Sequence, residues 1–141
     1  MFFGSYKHSL DDKNRLMIPS KMRASLSPKL YIMKGFDGAI NVYEESAFED
    51  LVEKLNTMSF NKKDTRSYLR TQLANTYELE VDKLGRIQIP TALTKKYAIG
   101  KEVVVLGAGK HIEIWDAEAF EAYQQETEDR FEEIEENLEE Q

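Results

Sequence analysis

The sequence contains no cysteine, and its 141 residues include only two histidines, three prolines and one tryptophan. Without cysteine no disulfide can form, and the two separated histidines match no familiar zinc-binding spacing. The sequence also has no long apolar run and no short apolar stretch with a basic lead. We therefore expect no membrane-spanning segment and no secretion signal, which favours a cytoplasmic protein.

Catalytic motifs are equally scarce. No serine lies in a nucleophile-elbow pattern, and no motif pairs the carboxylates for acid and base chemistry. The segment Gly107-Ala108-Gly109-Lys110 resembles part of a phosphate-binding loop, but the first glycine, the following Ser or Thr and the helix after it are missing. A turn between strands is the favoured interpretation. We predict a protein that is not an enzyme, with no cofactor, no metal and no small-molecule substrate.

Charge is unevenly distributed along the chain. The formal net charge is −7, but the segment from residue 116 onward has 12 acids and one base, whereas residues 1 to 115 have 14 acids and 18 bases. The body is therefore mildly basic, with a net charge of +4, and the tail is strongly acidic. Because sequence charge informs association and not fold, the acidic tail does not exclude a body that binds nucleic acid.

An internal repeat is the most informative feature that is present. The segment from Leu10 to Pro19 returns as the segment from Val81 to Pro90 when Arg15 is aligned with Arg86, 71 positions later. Further along, the match continues at an offset of 72, which indicates one inserted residue. Two long units favour a duplication over a solenoid, which needs three or more repeats.

Each repeat begins with alternating residues around a short polar turn, which is typical of two strands. Asn14 and Gly85 occupy equivalent turn positions, and both residue types tolerate positive φ. This predicts hairpin tips at residues 11–15 and 82–86. The proline that follows each tip ends the strand and opens a short helix.

A second strand pair follows in each half, and helices fill the remaining segments. Ser46 and Glu49 suggest a capping box before one helix, a second helix is expected over about residues 64–77, and residues 120–138 show an imperfect heptad seam. We predict an α+β fold, mainly β, in which duplicated ββ units form a pseudo-twofold core with flanking helices and a C-terminal helix. The first unit spans residues 1–75 with its following helices, and the second spans residues 76–141 with the acidic helix.

Three features of the chain resemble the MraZ family. They are the opening Met1-Phe2-Phe3-Gly4, the two Asp-x-x-x-Arg hairpins followed by Ile-Pro, and the Val-Tyr and Ile-Trp strands. The resemblance covers almost the whole chain and implies the swapped-hairpin, double-ψ-like barrel of the AbrB/SpoVT group. It also implies a nucleoid-associated regulator that binds double-stranded DNA at the promoter of the bacterial cell-division and cell-wall gene cluster. The resemblance further implies a ring-forming homo-oligomer that binds promoter sites made of short direct repeats.

The family signature carries over to Asp11 with Arg15 and to Asp82 with Arg86. The arginines suit bidentate hydrogen bonds to guanine, and the aspartates would orient them across the turn. The other expected DNA-binding residues are Lys13, Arg23 and Lys83, and possible phosphate contacts are Lys21, Lys95 and Lys96. Thr94 stands where the first motif has an arginine, and Asn14 where glycine is usual, so the halves are expected to contact DNA unequally.

Several alternatives stay open at this point. By spacing alone, each Asp and Arg could simply close its hairpin with an ion pair. The basic stretch at residues 62–70 is either a solvated helix face or a DNA contact. The acidic tail is either a solvated cap or a subunit contact through Phe131, Ile134 and Leu138. A structural ring or scaffold of the division machinery that never binds DNA is the competing function.

Overall fold

The computed structural model, which describes residues 1 to 139, contains eight strands and six helices. The strands are β1 (Ser5–Ser9), β2 (Arg15–Met17), β3 (Lys29–Lys34), β4 (Ile40–Glu44), β5 (Tyr77–Glu80), β6 (Arg86–Gln88), β7 (Glu102–Gly107) and β8 (Ile112–Asp116). The helices are α1 (Ser20–Arg23), α2 (Glu45–Asn56), α3 (Lys63–Ala74), α4 (Thr91–Lys96), α5 (Ala117–Asp129) and α6 (Phe131–Glu139). Within residues 1 to 139, every helix is too short or too polar to cross a membrane. The predicted α+β class is confirmed.

The strand order shows how the two halves interlock. Six strands form an antiparallel sheet in the order β1-β7-β8-β4-β3-β5, and β2 pairs with β6 in a separate antiparallel ribbon. Exchanging the two halves reverses this order, so a pseudo-twofold axis passes between β4 and β8 and between β2 and β6. Every strand that flanks a predicted tip pairs with a strand of the other half: β1 pairs with β7, β5 pairs with β3, and β2 pairs with β6. The predicted swapped-hairpin arrangement is confirmed.

The change of repeat offset arises from two differences in loop length. β3 begins 10 residues after Pro19, whereas β7 begins 12 residues after Pro90. The turn that follows, between the strands of the second pair, has five residues in the first half and four in the second. The single inserted residue inferred from the sequence is therefore the net result of a longer loop and a shorter turn.

One hydrophobic core joins both halves. It contains inward-facing residues of the large sheet together with Leu16 and Ile87 from the centre of the ribbon, which are 0% and 1% exposed. Helix α2 packs on the opposite face of the sheet, where Phe48 stacks on Tyr31 with ring centroids 4.2 Å apart. Helix α5 packs on the same face, where Phe120 meets the edge of Trp115. The ribbon and these helices therefore lie on opposite sides of the six-stranded sheet.

The capping box expected at Ser46 is wrong. Helix α2 begins at Glu45, directly after β4, and its N-cap residue Glu44 forms no side-chain capping bond. The strand runs straight into the helix, so Ser46 already lies inside it. The equivalent helix α5 is capped, because Asp116 accepts a hydrogen bond from the amide of Ala119 at 3.2 Å.

The C-terminal segment forms two helices where one was expected. Helix α5 ends at Asp129 and α6 begins at Phe131, because Arg130 leaves the helical region with φ −116°. The heptad seam is therefore not a stripe on one continuous helix. The second unit was expected to end at residue 141, and residues 140 and 141 lie outside the described residues.

We expect the buried residues at the centre of the ribbon to stabilise the whole fold. Ile87→Val should lower the free energy of unfolding by about 0.5 to 1.5 kcal/mol and Ile87→Ala by about 2 to 5 kcal/mol, since each removes buried methyl groups and leaves a larger cavity. Urea unfolding followed by circular dichroism measures both. Equal, small effects would contradict a shared core at this position.

Candidate nucleic-acid interface

Each hairpin tip is organised by its aspartate. In the first tip, Asp11 Oδ1 accepts hydrogen bonds from the backbone amides of Lys13 at 2.9 Å and Arg15 at 2.8 Å. Its Oδ2 accepts a hydrogen bond from Arg15 Nε at 2.6 Å. The carboxylate therefore closes the turn and fixes the direction of the arginine side chain.

The second tip repeats this geometry. Asp82 Oδ1 accepts from the amides of Leu84 and Arg86, both at 2.9 Å, and Oδ2 accepts from Arg86 Nε at 2.8 Å. The turns also require positive φ at equivalent places, and Asn14 and Gly85 have φ values of 62° and 85°. The tight turns predicted from these two residue types are confirmed, but the strands on either side of each turn form their ladders with strands of the other half and not with each other.

The charge state of the tips follows from these bonds. The backbone amide of Arg15, followed by its side chain, holds the pKa of Asp11 below its usual value, and Arg86 lowers the pKa of Asp82 in the same way. Because each aspartate engages the Nε of its arginine, the two terminal nitrogens of the guanidinium remain for another partner. The Arg15 and Arg86 side chains are 30% and 25% exposed, so neither is sealed inside the protein.

The pairing of β2 with β6 places both arginines on one surface. Arg15 lies opposite Gln88, and Arg86 lies opposite Met17. Since the central pair of the ribbon points into the core, these four side chains share the outward face. The diagonal between residues two places apart on paired strands is about 7 to 8 Å, so the two arginines start from neighbouring positions on this face. We call this four-residue surface the ribbon face.

The predicted lysines lie on the hairpin tips and on the helices that follow the ribbon strands. Lys13 and Lys83 are exposed on the hairpin tips. Helices α1 and α4 directly follow β2 and β6, and they carry Lys21, Lys95 and Lys96, which are all exposed. The five lysines are thus solvent-accessible on elements adjoining the ribbon strands in sequence, whereas Arg23 is partly buried.

Arg23 packs against the second hairpin tip. Its Nη1 donates a hydrogen bond to the carbonyl of Leu84 at 3.3 Å, and its Nε is buried without a partner among the described residues. A Cβ on Gly85 would lie 2.3 Å from Arg23 Nη1. A side chain at position 85 would therefore be strained by the positive φ and would have to displace Arg23.

The first tip has different residues at the equivalent positions. Asn14 Nδ2 donates to the carbonyl of Ile89 at 3.0 Å and to Thr94 Oγ1 at 3.1 Å. Asn14 and Thr94 are the counterparts of Gly85 and Arg23. The two departures from the repeat pattern therefore compensate each other, because the short threonine leaves room for the asparagine amide.

Sequence reasoning missed three exposed side chains at this site. Gln88 donates from Nε2 to the carbonyl of Lys13 at 2.9 Å, which ties β6 to the first tip. Met17 is 36% exposed on the ribbon face, and Leu84 is 60% exposed on the second tip. The alternation of β2 and β6 points positions 17 and 88 outward, but only the pairing between the halves shows that they lie beside the arginines.

Comparison with known proteins gives consistent matches along the chain. The family model described as "MraZ protein, putative antitoxin-like" matches residues 1–71 and again residues 72–140. A protein of Mesoplasma florum named transcriptional regulator MraZ is 48% identical over 140 residues, which cover 98% of this chain and 95% of that protein. Proteins of the same name from Caldanaerobacter subterraneus subsp. tengcongensis and Mycoplasmoides gallisepticum are 41% and 38% identical over 138 residues, covering 98% of this chain and 96% and 97% of their own lengths.

Placing the residues of the first tip into the second tip tests whether the two residue pairs are equivalent. Gly85→Ala should lower the free energy of unfolding by about 1 to 3 kcal/mol, because it forces an L side chain into positive φ beneath Arg23. Replacing both residues by the pair found at the first tip, Gly85→Asn with Arg23→Thr, should recover most of that loss. Thermal or urea unfolding of the two variants provides the measurement. If the double variant is less stable than Gly85→Ala, the proposed equivalence is wrong.

Proposed function

The chain belongs to the MraZ family, and we propose that it is a sequence-specific DNA-binding transcriptional regulator and not an enzyme. Three relatives of nearly the same length have the name transcriptional regulator, which supports this class of function. Family membership further supports action at the promoter of the bacterial cell-division and cell-wall gene cluster, in the cytoplasm and at the nucleoid.

The ribbon face is the observation that carries the proposal. A two-stranded ribbon fits the major groove of B-DNA, and an arginine there can donate two hydrogen bonds to O6 and N7 of guanine. Arg15 and Arg86 have their Nε atoms held by Asp11 and Asp82, so less side-chain entropy is lost when the terminal nitrogens bind. The aspartates thus act through the arginines, which they orient.

Phosphate contacts would come from the surrounding lysines. The exposed ammonium groups of Lys13, Lys21 and Lys83, and of Lys95 and Lys96 on α4, can neutralise phosphates and set the position of the protein on the duplex. We assign Arg23 chiefly to supporting the second tip, since its Nη1 holds the Leu84 carbonyl. The two halves would then approach DNA unequally.

The acidic helices do not oppose this mode of binding. Helix α5 packs on β7 and β8, on the face of the sheet that points away from the ribbon. Helix α3 also packs on that side, where Tyr68 and Gln72 line a cavity with Asn41 and Tyr43. The basic residues of α3 are therefore remote from the ribbon face of the same chain, and we propose another role for them.

That role is assembly of a ring. The stretch at residues 62–70 is basic and lies beside exposed Phe60, over which Arg70 is placed at 5.6 Å. Helices α5 and α6 are acidic, and Phe131 and Leu138 are exposed. Opposite charge on two different surfaces of one chain favours a head-to-tail contact, which gives a ring when its rotation closes.

A ring would allow strong binding to DNA although each ribbon face is small. One ribbon face alone gives few contacts, and non-specific binding at physiological salt has dissociation constants of about 10⁻⁴ to 10⁻⁶ M. Several ribbon faces at fixed spacing would bind short direct repeats jointly through effective concentration. We therefore propose that a ring-like homo-oligomer reads repeated promoter boxes.

Replacing the arginines tests the DNA-binding proposal. Arg15→Ala or Arg86→Ala should weaken binding to promoter DNA by about 5- to 150-fold, since each loses a base contact of about 1 to 3 kcal/mol. Gel shifts at several salt concentrations measure this, with Lys54→Ala, which removes an exposed positive charge on α2, as a control. A sequence-blind response, with all three variants alike, would favour the structural scaffold.

Charge reversal tests the ring. Lys63→Glu with Arg70→Glu should reduce the mass measured by light scattering to that of a single chain, because like charges would then meet across the interface. Mixing this variant with Glu132→Lys/Glu136→Lys should restore part of the assembly. An unchanged mass in both variants would show that other surfaces join the subunits.

A further inference from the structure

The ribbon face is symmetric in its arginines but not in its other two side chains. Arg15 and Arg86 are equivalent under the pseudo-twofold axis, and so are positions 17 and 88. Position 17 is methionine and position 88 is glutamine. Each arginine therefore has a different neighbour directly across the ribbon, Gln88 beside Arg15 and Met17 beside Arg86.

We propose that Gln88 and Met17 determine DNA specificity, Gln88 by binding adenine and Met17 by contacting the methyl group of thymine, each next to a guanine bound by the adjacent arginine. The inference rests on the proposed DNA-binding function. It adds that the ribbon face of one chain distinguishes the two orientations of its DNA site.

The hydrogen bonding of Gln88 prepares it for this contact. Its Nε2 gives one N–H to the carbonyl of Lys13 at 2.9 Å, which fixes the plane of the amide. The second N–H and the carbonyl Oε1 have no other partner among the described residues. One donor and one acceptor in a fixed plane match N7 and the N6 amino group of adenine in the major groove.

Met17 offers the complementary chemistry. Its side chain is 36% exposed beside Arg86, although methionine is otherwise favoured in cores. It has no strong hydrogen-bond group, and its flexible thioether adapts to irregular apolar surfaces. The C5-methyl group of thymine is the apolar feature that the major groove presents.

This asymmetry matters because of the way that direct repeats are arranged. A reading surface with true twofold symmetry would bind a site equally well in either orientation. Copies arranged head to tail around a ring all point the same way, so each must distinguish the two orientations of its box. Different residues at positions 17 and 88 supply that distinction without disturbing the two arginines.

Selection from a randomised DNA library, followed by binding to single-base variants of the selected site, tests the proposal. The wild-type protein should select two guanines with adenine beside one and thymine beside the other. Gln88→Met makes the two sides of the four-residue ribbon face alike, so the adenine preference should fall by about 5- to 150-fold and thymine should be selected beside both guanines, which are kept. Met17→Gln should instead select adenine beside both guanines.

A control separates base reading from support of the tip. Gln88→Lys keeps a donor for the carbonyl of Lys13 but has no acceptor for the adenine amino group. Its adenine preference should disappear while its unfolding midpoint stays near that of the wild type. An adenine preference that persists in Gln88→Lys or Gln88→Met would overturn the inference.

The outcomes also separate this inference from the proposed function. If the wild-type protein shows no base preference, both fail. If it selects guanines and the variants at positions 17 and 88 leave the selected site unchanged, DNA binding through the arginines stands and only the role of Gln88 and Met17 is refuted.

Discussion

The pairing of β2 with β6 is the constraint on which the rest of the molecule depends. Each strand has three residues, and each forms its ladder only with the strand from the other half. The central residues, Leu16 and Ile87, must point into the common core, since a strand this short buries little else. Their neighbours in sequence must then face solvent. The requirement that closes the core therefore also places Arg15 and Arg86 on the same outward face of the ribbon, at diagonal positions.

Duplication within one chain allows the two halves to differ, provided that contacting residues change together. Gly85 lies beneath Arg23, and Asn14 contacts Thr94. Mixing these pairs would create a clash or leave a gap at one tip. In a symmetric homodimer the same change would occur twice, so only a fused molecule can keep one arrangement at each tip. The same freedom would allow the proposed difference between positions 17 and 88 on the ribbon face.

The sequence predicted the local features well because they have local causes. Alternation and the residue types at Asn14 and Gly85 located both hairpin tips, and the repeat implied a pseudo-twofold fold. Pairing between halves has no such local trace, so the sequence did not reveal that Gln88 lies beside Arg15. The capping box at Ser46 failed because β4 continues directly into α2. The break at Arg130 lacks a proline or glycine to mark it.

The separation of charge across the sheet reconciles an acidic chain with an anionic ligand. Packed layers lie about 10 Å apart, and the Debye length is about 8 Å at physiological ionic strength. Helix α5 lies beyond the sheet from the ribbon face, so its carboxylates are screened from a duplex bound there. They still repel DNA from the helical side of the molecule. In the proposed binding mode, helix α5 would restrict productive encounters to the ribbon face, where the lysines would attract the DNA backbone and the oriented arginines would contact the bases.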